Sequence, residues 1–364
     1  MIVERQVELR FGQESRDAET HTNLSAVRRD GRCLWTAGDE TATIERLTAV
    51  TGADGRVTGY GEHVTVALAD LVPLPAGPDE EADIEGLARA DGWLWAIGSH
   101  SLKRKKIKPS QSGAKARKRL ATVVREDNRY IIARLPLVPG EDGLPEVAPD
   151  APGEGGTRTA AVLGGRGDSL TDLLADDPHL APFLSIPSKD NGLDVEGIAA
   201  HGDRLYIGLR GPVLRGWAVL VEIRPGTDPR DPRRLRALPV GGDDDDELYR
   251  THFLDLGGLG IRDLCPHGDD LLILTGPSMD LDGPVRVVRW RGAAKTDAAE
   301  IVPASELEVL GELPYGDGDD HAEGIAVLDE PDGSGIRVLV VYDSPSPARL
   351  TADGGVLADV IVLP

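Results

Sequence analysis

Apolar and polar residues alternate in short runs along the whole chain, and pairs of turn-forming residues interrupt the runs. Between Ile2 and Phe11 the apolar positions Val3, Val7 and Leu9 are separated by polar ones, the period of a half-buried strand. Glu85-Gly-Leu-Ala-Arg-Ala-Asp-Gly-Trp-Leu-Trp-Ala-Ile-Gly98 reads as strand, turn, strand, with Asp91-Gly92 as a two-residue hairpin turn. Asn23 to Gly38 has the same layout around Asp30-Gly31. So have Glu196 to Gly208, turning at His201-Gly-Asp, and Arg262 to Gly276, turning at His267-Gly-Asp. A last copy runs from Glu323 to Asp343 with its turn at Asp332-Gly-Ser-Gly. Three copies open almost identically: Asp83-Ile-Glu-Gly-Leu-Ala88, Asp194-Val-Glu-Gly-Ile-Ala199 and His321-Ala-Glu-Gly-Ile-Ala326.

The five hairpins start near residues 24, 84, 195, 261 and 322. Further strand-like runs follow most of them, among them Thr43 to Val50, Val64 to Leu68, Trp217 to Ile223 and Leu248 to Leu254. Four short antiparallel strands repeated around a ring make a β-propeller. The expected fold is therefore all-β: a single propeller over residues 1–364 with five detectable blade repeats. The long second interval leaves room for a sixth, degenerate blade or an irregular insertion over 138–190, with a short helix at Ser169 to Ala175. Gly86/Ala88, Gly197/Ala199 and Gly324/Ala326 put small side chains where innermost strands converge on the axis. Val356 to Leu363 is expected to pair with the N-terminal strand, closing the ring and removing its exposed edges.

Composition adds limits. The chain has 364 residues with 44 Gly and 26 Pro, and 62 acidic against 40 basic residues give a net charge of −22. Such a surface repels nucleic acid and anionic membranes over most of its area. The two cysteines, Cys33 and Cys265, sit in apolar strands and read as buried thiols. No apolar run reaches the roughly 20 residues that cross a bilayer, and no signal pattern opens the chain. The expectation is a cytoplasmic protein without membrane contact. One segment runs against the acidic background: Lys103 to Arg119 holds nine Lys/Arg and no acid. It reads as a flexible basic loop within an insertion at 101–120, suited to an anionic ligand, an acidic protein partner or RNA.

In a propeller, the first strand of a blade starts and the second ends on the same face. That geometry gathers Glu85, Glu196, Arg262 and Glu323 with Asp39, Ser99, His100, Ser101, Arg210 and Asp343. Three glutamates at one axis repel by about 3 kcal/mol per pair at ~6 Å and an effective dielectric near 20. Arginines, a divalent cation such as calcium, or shifted carboxyl pKa values must offset this. The metal set would be Glu85, Glu196, Glu323 and Asp39. Arg210, Arg262, Lys103, Arg104, Ser99 and Ser101 would hold an anion. Glu196, His100 and Asp343 are the candidate catalytic groups of a metal-assisted ester or phosphoester hydrolase. A Ser/His/Asp set from Ser99 or Ser101, His100 and Asp343 is the other arrangement this face offers. The expected function is binding of a small anionic, phosphorylated ligand at the mouth. The alternative is a non-enzymatic protein or RNA platform built on residues 103–119.

Several stretches resemble a known family. Leu34-Trp-Thr-Ala-Gly-Asp-Glu-Thr-Ala-Thr-Ile-Glu-Arg-Leu47, Gly98-Ser-His-Ser-Leu-Lys-Arg-Lys105, Asn191-Gly-Leu-Asp-Val-Glu-Gly-Ile198 and Gly208-Leu-Arg-Gly-Pro-Val-Leu-Arg-Gly-Trp217 look like the bacterial domain-of-unknown-function 3616 family. The resemblance covers nearly the whole chain. It implies a propeller-like fold and no established activity. The repeated Glu-Gly-Leu/Ile-Ala is also similar, over that short motif alone, to propellers of the esterase-like phytase group.

Overall fold

Five four-stranded antiparallel sheets stand around an axis in the computed structural model, which describes residues 3–53, 55–242, 246–279, 281–328 and 335–364. The chain opens with β1 (Val3–Arg10), which joins the last blade. Blade one is β2 (Leu24–Asp30), β3 (Cys33–Gly38), β4 (Thr43–Thr51) and β5 (Val57–Ala67). Blade two starts with β6 (Ile84–Ala90) and β7 (Trp93–Gly98). It then makes a basic excursion through β8 (Lys103–Arg104) and β9 (Val123–Val124) before β10 (Ile131–Pro139). After β11 (Pro145–Val147) and the hairpin of β12 (Asp150–Gly153) with β13 (Gly156–Thr159), β14 (Ala161–Gly164) completes it.

Blade three is β15 (Asp194–His201), β16 (Arg204–Gly211) and the long β17 (Trp217–Asp228). The far half of β17 pairs with β18 (Asp231–Leu238), and its near half with β19 (Tyr249–Asp255). Blade four is β20 (Gly260–His267), β21 (Asp270–Gly276) and β22 (Val285–Trp290). Past β23 (Ile301–Val302), it ends in β24 (Leu307–Leu313). Blade five is β25 (His321–Leu328), β26 (Ile336–Asp343) and β27 (Gly355–Leu363), with β1 as its outermost strand.

The ring closes as the sequence predicts. Val7 and Leu9 of β1 are buried against blades five and one, and β1 also pairs in parallel with β5 at Glu8 and Leu9. Each innermost strand packs on the next, β25 returning to β2. The core is correspondingly split into five apolar clusters, one between each pair of adjacent blades. The small-residue positions are required by close approach. A side chain on Gly197 would meet the Asp263 backbone at 2.9 Å, and one on Gly86 the Ile198 backbone nitrogen at 3.1 Å. At the Asp91-Gly92 turn both residues have positive φ, 49° and 77°, as a type I′ hairpin needs.

Two expectations change. No sixth blade exists among the described residues: β14 within 138–190 is the outer strand of blade two, and the rest is hairpin and loop. The short helix there spans Leu170–Leu173 and is capped by Ser169. The 103–119 segment is an ordered excursion rather than a loop, pinned by the β8–β9 pair and containing a helix, Gly113–Leu120. Asp332 to Ser334 of the last predicted turn, and Asp243 to Asp245 of the acidic run, lie outside the described residues. Cys33 and Cys265 are both free and buried. No helix among the described residues is long and apolar enough to cross a membrane.

A rivet on the axis was not foreseen. Arg28, on β2, is 4% exposed and projects across the channel. Its Nε donates to Leu87 O at 2.6 Å and its Nη1 to Ile325 O at 2.9 Å; its Nη2 donates to Leu264 O at 3.0 Å and Asp263 Oδ1 at 2.9 Å. A longer contact reaches Ile198 O at 3.5 Å. One guanidinium thus ties blade one to the other four. Asp263 in turn accepts from Leu264 N and Ile325 N. The channel is blocked at this level, so its mouth is a bowl with a floor.

Candidate functional site

In all five innermost strands the pairing register breaks at an equivalent position, occupied by Ser25, Glu85, Glu196, Arg262 and Glu323, and β15 has a second break at Asp194/Val195. A bulge re-aims the side chain it carries. All five line one cavity of about 1040 Å³ at the mouth. The structure thus brings Glu85, Glu196, Arg262 and Glu323 to one mouth, with Ser25, which the sequence analysis did not name, as the fifth. Asp39, Arg210, Asp343, Ser101, Lys103 and Arg104 line the same cavity.

The glutamate repulsion is offset chiefly by arginine. Arg210 Nη1 pairs with Glu196 Oε1, and Arg262 Nη1 pairs with Glu323 Oε1 and lies 3.9 Å from Glu196 Oε2. Burial pushes the Glu196 carboxyl up, but Arg210 and Arg262 outweigh it and hold the group below its ordinary range. Glu323 is pushed up by burial, which Arg262 only partly opposes. Glu85 has no such partner. Burial, together with Asp83, Glu196, Asp39 and Asp194, raises it well above the usual carboxylate range. Burial also raises Asp39 to about 7, with Asp83 and Asp343 adding to it. Asp194 is pushed to about 7 by burial, against the pull of Arg210.

Among the described residues no three His, Cys, Asp or Glu side chains are grouped so as to hold a metal ion. The four-carboxylate cage of Glu85, Glu196, Glu323 and Asp39 is therefore not assembled. Two of its members are taken by arginines instead.

His100 is the clearest correction. It follows β7 at a positive φ of 51°, which turns its ring away from the mouth. Its Nδ1 bonds Gly98 O at 2.8 Å, the ring packs edge-on against Tyr130, and burial lowers its pKa to about 4. It does not line the cavity, so neither the acid–base role nor the Ser/His/Asp set survives. Ser99 also lies behind the wall, with Oγ 3.0 Å from Ser101 Oγ. The histidine at the mouth is His321, with Nε2 3.1 Å from Asp282 and Nδ1 3.9 Å from Asp343. These carboxylates, Asp343 foremost, raise its pKa against the effect of burial. Asp83, Asp194 and His321 were missed although each stands two residues before a predicted glutamate. Arg129 was missed as well; it pairs with Asp83 and Glu81 and bonds Glu126 at 2.7 Å.

The basic excursion forms one wall. Lys103 is 2.8 Å from Glu81, and Arg104 is 2.6 Å from Asp190 and donates to Leu120 O. Arg119 donates to Lys106 O at 2.7 Å. Exposed Lys105, Lys106, Lys108 and Lys189 line the cavity without an ion pair or hydrogen bond on the ammonium among the described residues.

Comparison with known proteins places the chain. The profile of the family described as "Protein of unknown function (DUF3616)" matches residues 23–359, and the chain belongs to that family. No curated protein matches it in sequence. Solved structures with a similar course are glutaminyl cyclase of Myxococcus xanthus (9% identity, 100% of this chain and 97% of that one, TM-score 0.41), a putative oxidoreductase (glucose dehydrogenase) of Thermus thermophilus (14%, 98% and 99%, 0.36) and the endosialidase of phage phi92 (10%, 99% and 69%, 0.39).

Proposed function

We propose that this family member binds a small anionic ligand, a phosphorylated one in the first instance, in the bowl at the mouth of the ring. One observation carries the reading. In a chain of net charge −22, four lysines with free ammonium groups face a cavity whose volume suits a small molecule. Lysines held out in this way keep their donors available for phosphate oxygens. Arg210 and Arg262 neutralise Glu196 and Glu323 below them, which lowers the repulsion an incoming anion meets. Binding rather than turnover is what this geometry supports, because the proposed acid–base residue His100 lies outside the cavity and Glu196 is held by two arginines.

The test is calorimetric titration with a panel of sugar phosphates and nucleotides, on wild type and on a Lys105→Gln/Lys106→Gln/Lys108→Gln variant. Exposed charge pairs contribute about 0.2–1 kcal/mol each, so the triple change should weaken binding by about threefold to a hundredfold. Absence of any phosphorylated ligand, with single-stranded RNA bound in a steeply salt-dependent way, would replace the bowl by a macromolecular platform.

A further inference from the structure

The lining of the same bowl also carries a cluster of the opposite charge. Asp39 after β3, Asp83 before β6, Glu85 within β6 and Asp194 at the start of β15 meet where blades one, two and three converge. Asp83 is answered by Arg129. Asp194 feels Arg210 and Lys189 at longer range, but among the described residues Asp39, Glu85 and Asp194 have no side-chain hydrogen bond or ion pair with another residue. Asp39 Oδ1 is a buried oxygen with no partner at all. Asp194 is only 5% exposed, and the space it faces is the bowl. A buried, unpaired carboxylate is unfavourable unless a cation or a proton meets it.

The spacing bears on which cation. A calcium ion draws its oxygens to about 2.3–2.6 Å from one point, and no such group is present among the described residues. A primary ammonium instead offers three diverging donors, each wanting an acceptor at about 2.8 Å, so its acceptors stand about 4.6 Å apart. Asp39, Glu85 and Asp194 come from three different blades around one cavity, an arrangement suited to diverging donors rather than to one point.

We infer that Asp39, Glu85 and Asp194 form an ammonium subsite, and that the ligand is a phosphorylated primary amine whose ammonium meets these carboxylates while its phosphate meets the lysines of the same bowl. This rests on the anion-binding reading above and adds the class of ligand to it.

Matched probes separate the two claims. Glucosamine 6-phosphate is compared with glucose 6-phosphate, and 5-aminopentyl phosphate with pentyl phosphate, by calorimetry at pH 7.5. The amine of at least one pair should bind about tenfold tighter or more. A Glu85→Gln/Asp194→Asn variant, freed of like-charge repulsion and so expected to fold, should lose that advantage while still binding glucose 6-phosphate or pentyl phosphate. Equal binding within both pairs overturns the ammonium subsite and leaves the anion site standing. Failure of all four phosphates sinks the anion site. In that event 1,5-diaminopentane decides the subsite alone: binding lost in the double variant supports it, and no binding overturns it. Calcium that stabilises wild type but not the double variant, with no preference for amines, also overturns it.

Discussion

Replacing Arg28 by methionine should destabilise the ring more than any other single change on the axis. The side chain is 4% exposed, with hydrogen bonds at 2.6–3.0 Å to Leu87 O, Ile325 O, Leu264 O and Asp263 Oδ1 in three other blades and a 3.5 Å contact with Ile198 O in the fourth. Methionine fills a similar volume but donates nothing. It leaves Asp263, itself 1% exposed, as a buried charge with only two backbone donors. Breaking a buried ion pair from one side costs about 3–5 kcal/mol, a large share of the 5–15 kcal/mol that holds a typical domain together. Urea unfolding followed by tryptophan fluorescence and far-UV circular dichroism gives the loss. Paired with Asp263→Asn, the double variant should cost about 1.5–3 kcal/mol less than the sum of the single ones. A loss below about 1 kcal/mol for Arg28→Met, or strict additivity with Asp263→Asn, would refute the idea that this residue rivets the blades.

Asp194→Asn should stabilise the protein above neutral pH and leave it unchanged near pH 3. The folded carboxyl titrates near 7, raised from 3.8, so what it contributes is fully present below the unfolded value and is lost as pH rises through 7. The gain at pH 8 is on the order of 2–4 kcal/mol, read as the difference between variant and wild-type thermal unfolding across pH, with Arg210, Glu196, Lys189 and Asp83 as its charged surroundings. Deleting residues 1–11 should open the ring: the buried Val7, Leu9 and Phe11 leave blade five, a loss on the order of 5–9 kcal/mol. A synthetic Val3–Phe11 peptide should restore the melting temperature, and a truncated protein as stable as the full chain would contradict closure by β1.

The ring was legible because one short motif recurs with its turn, and because Gly86, Gly197 and Gly324 mark the crowded positions on the axis. Even the divergent copies led by Ser25 and Arg262 were found through their hairpins. The outer strands were less legible, since β14 is four residues long and separated from β10 by a separate hairpin. At the site, Glu85, Glu196, Arg262 and Glu323 reach one mouth as expected, because the bulge recurs in every blade. Arg28 was invisible because Arg28-Arg29-Asp30 looks like the polar end of a strand; its acceptors exist only once the ring closes. His100 failed for a local reason, a left-handed residue just past a strand end whose side chain alternation no longer predicts. Asp83, Asp194 and His321 were legible in principle, in the same motif as the glutamates.

The central claim is that the free lysines hold the anion of a small ligand inside the bowl. An anomalous-difference map from crystals soaked in selenate tests it directly. A selenium peak within the cavity, beside Lys105, Lys106, Lys108 or Lys189, is the predicted result. A map whose peaks all lie outside the bowl, on other arginines of the surface, would contradict the account.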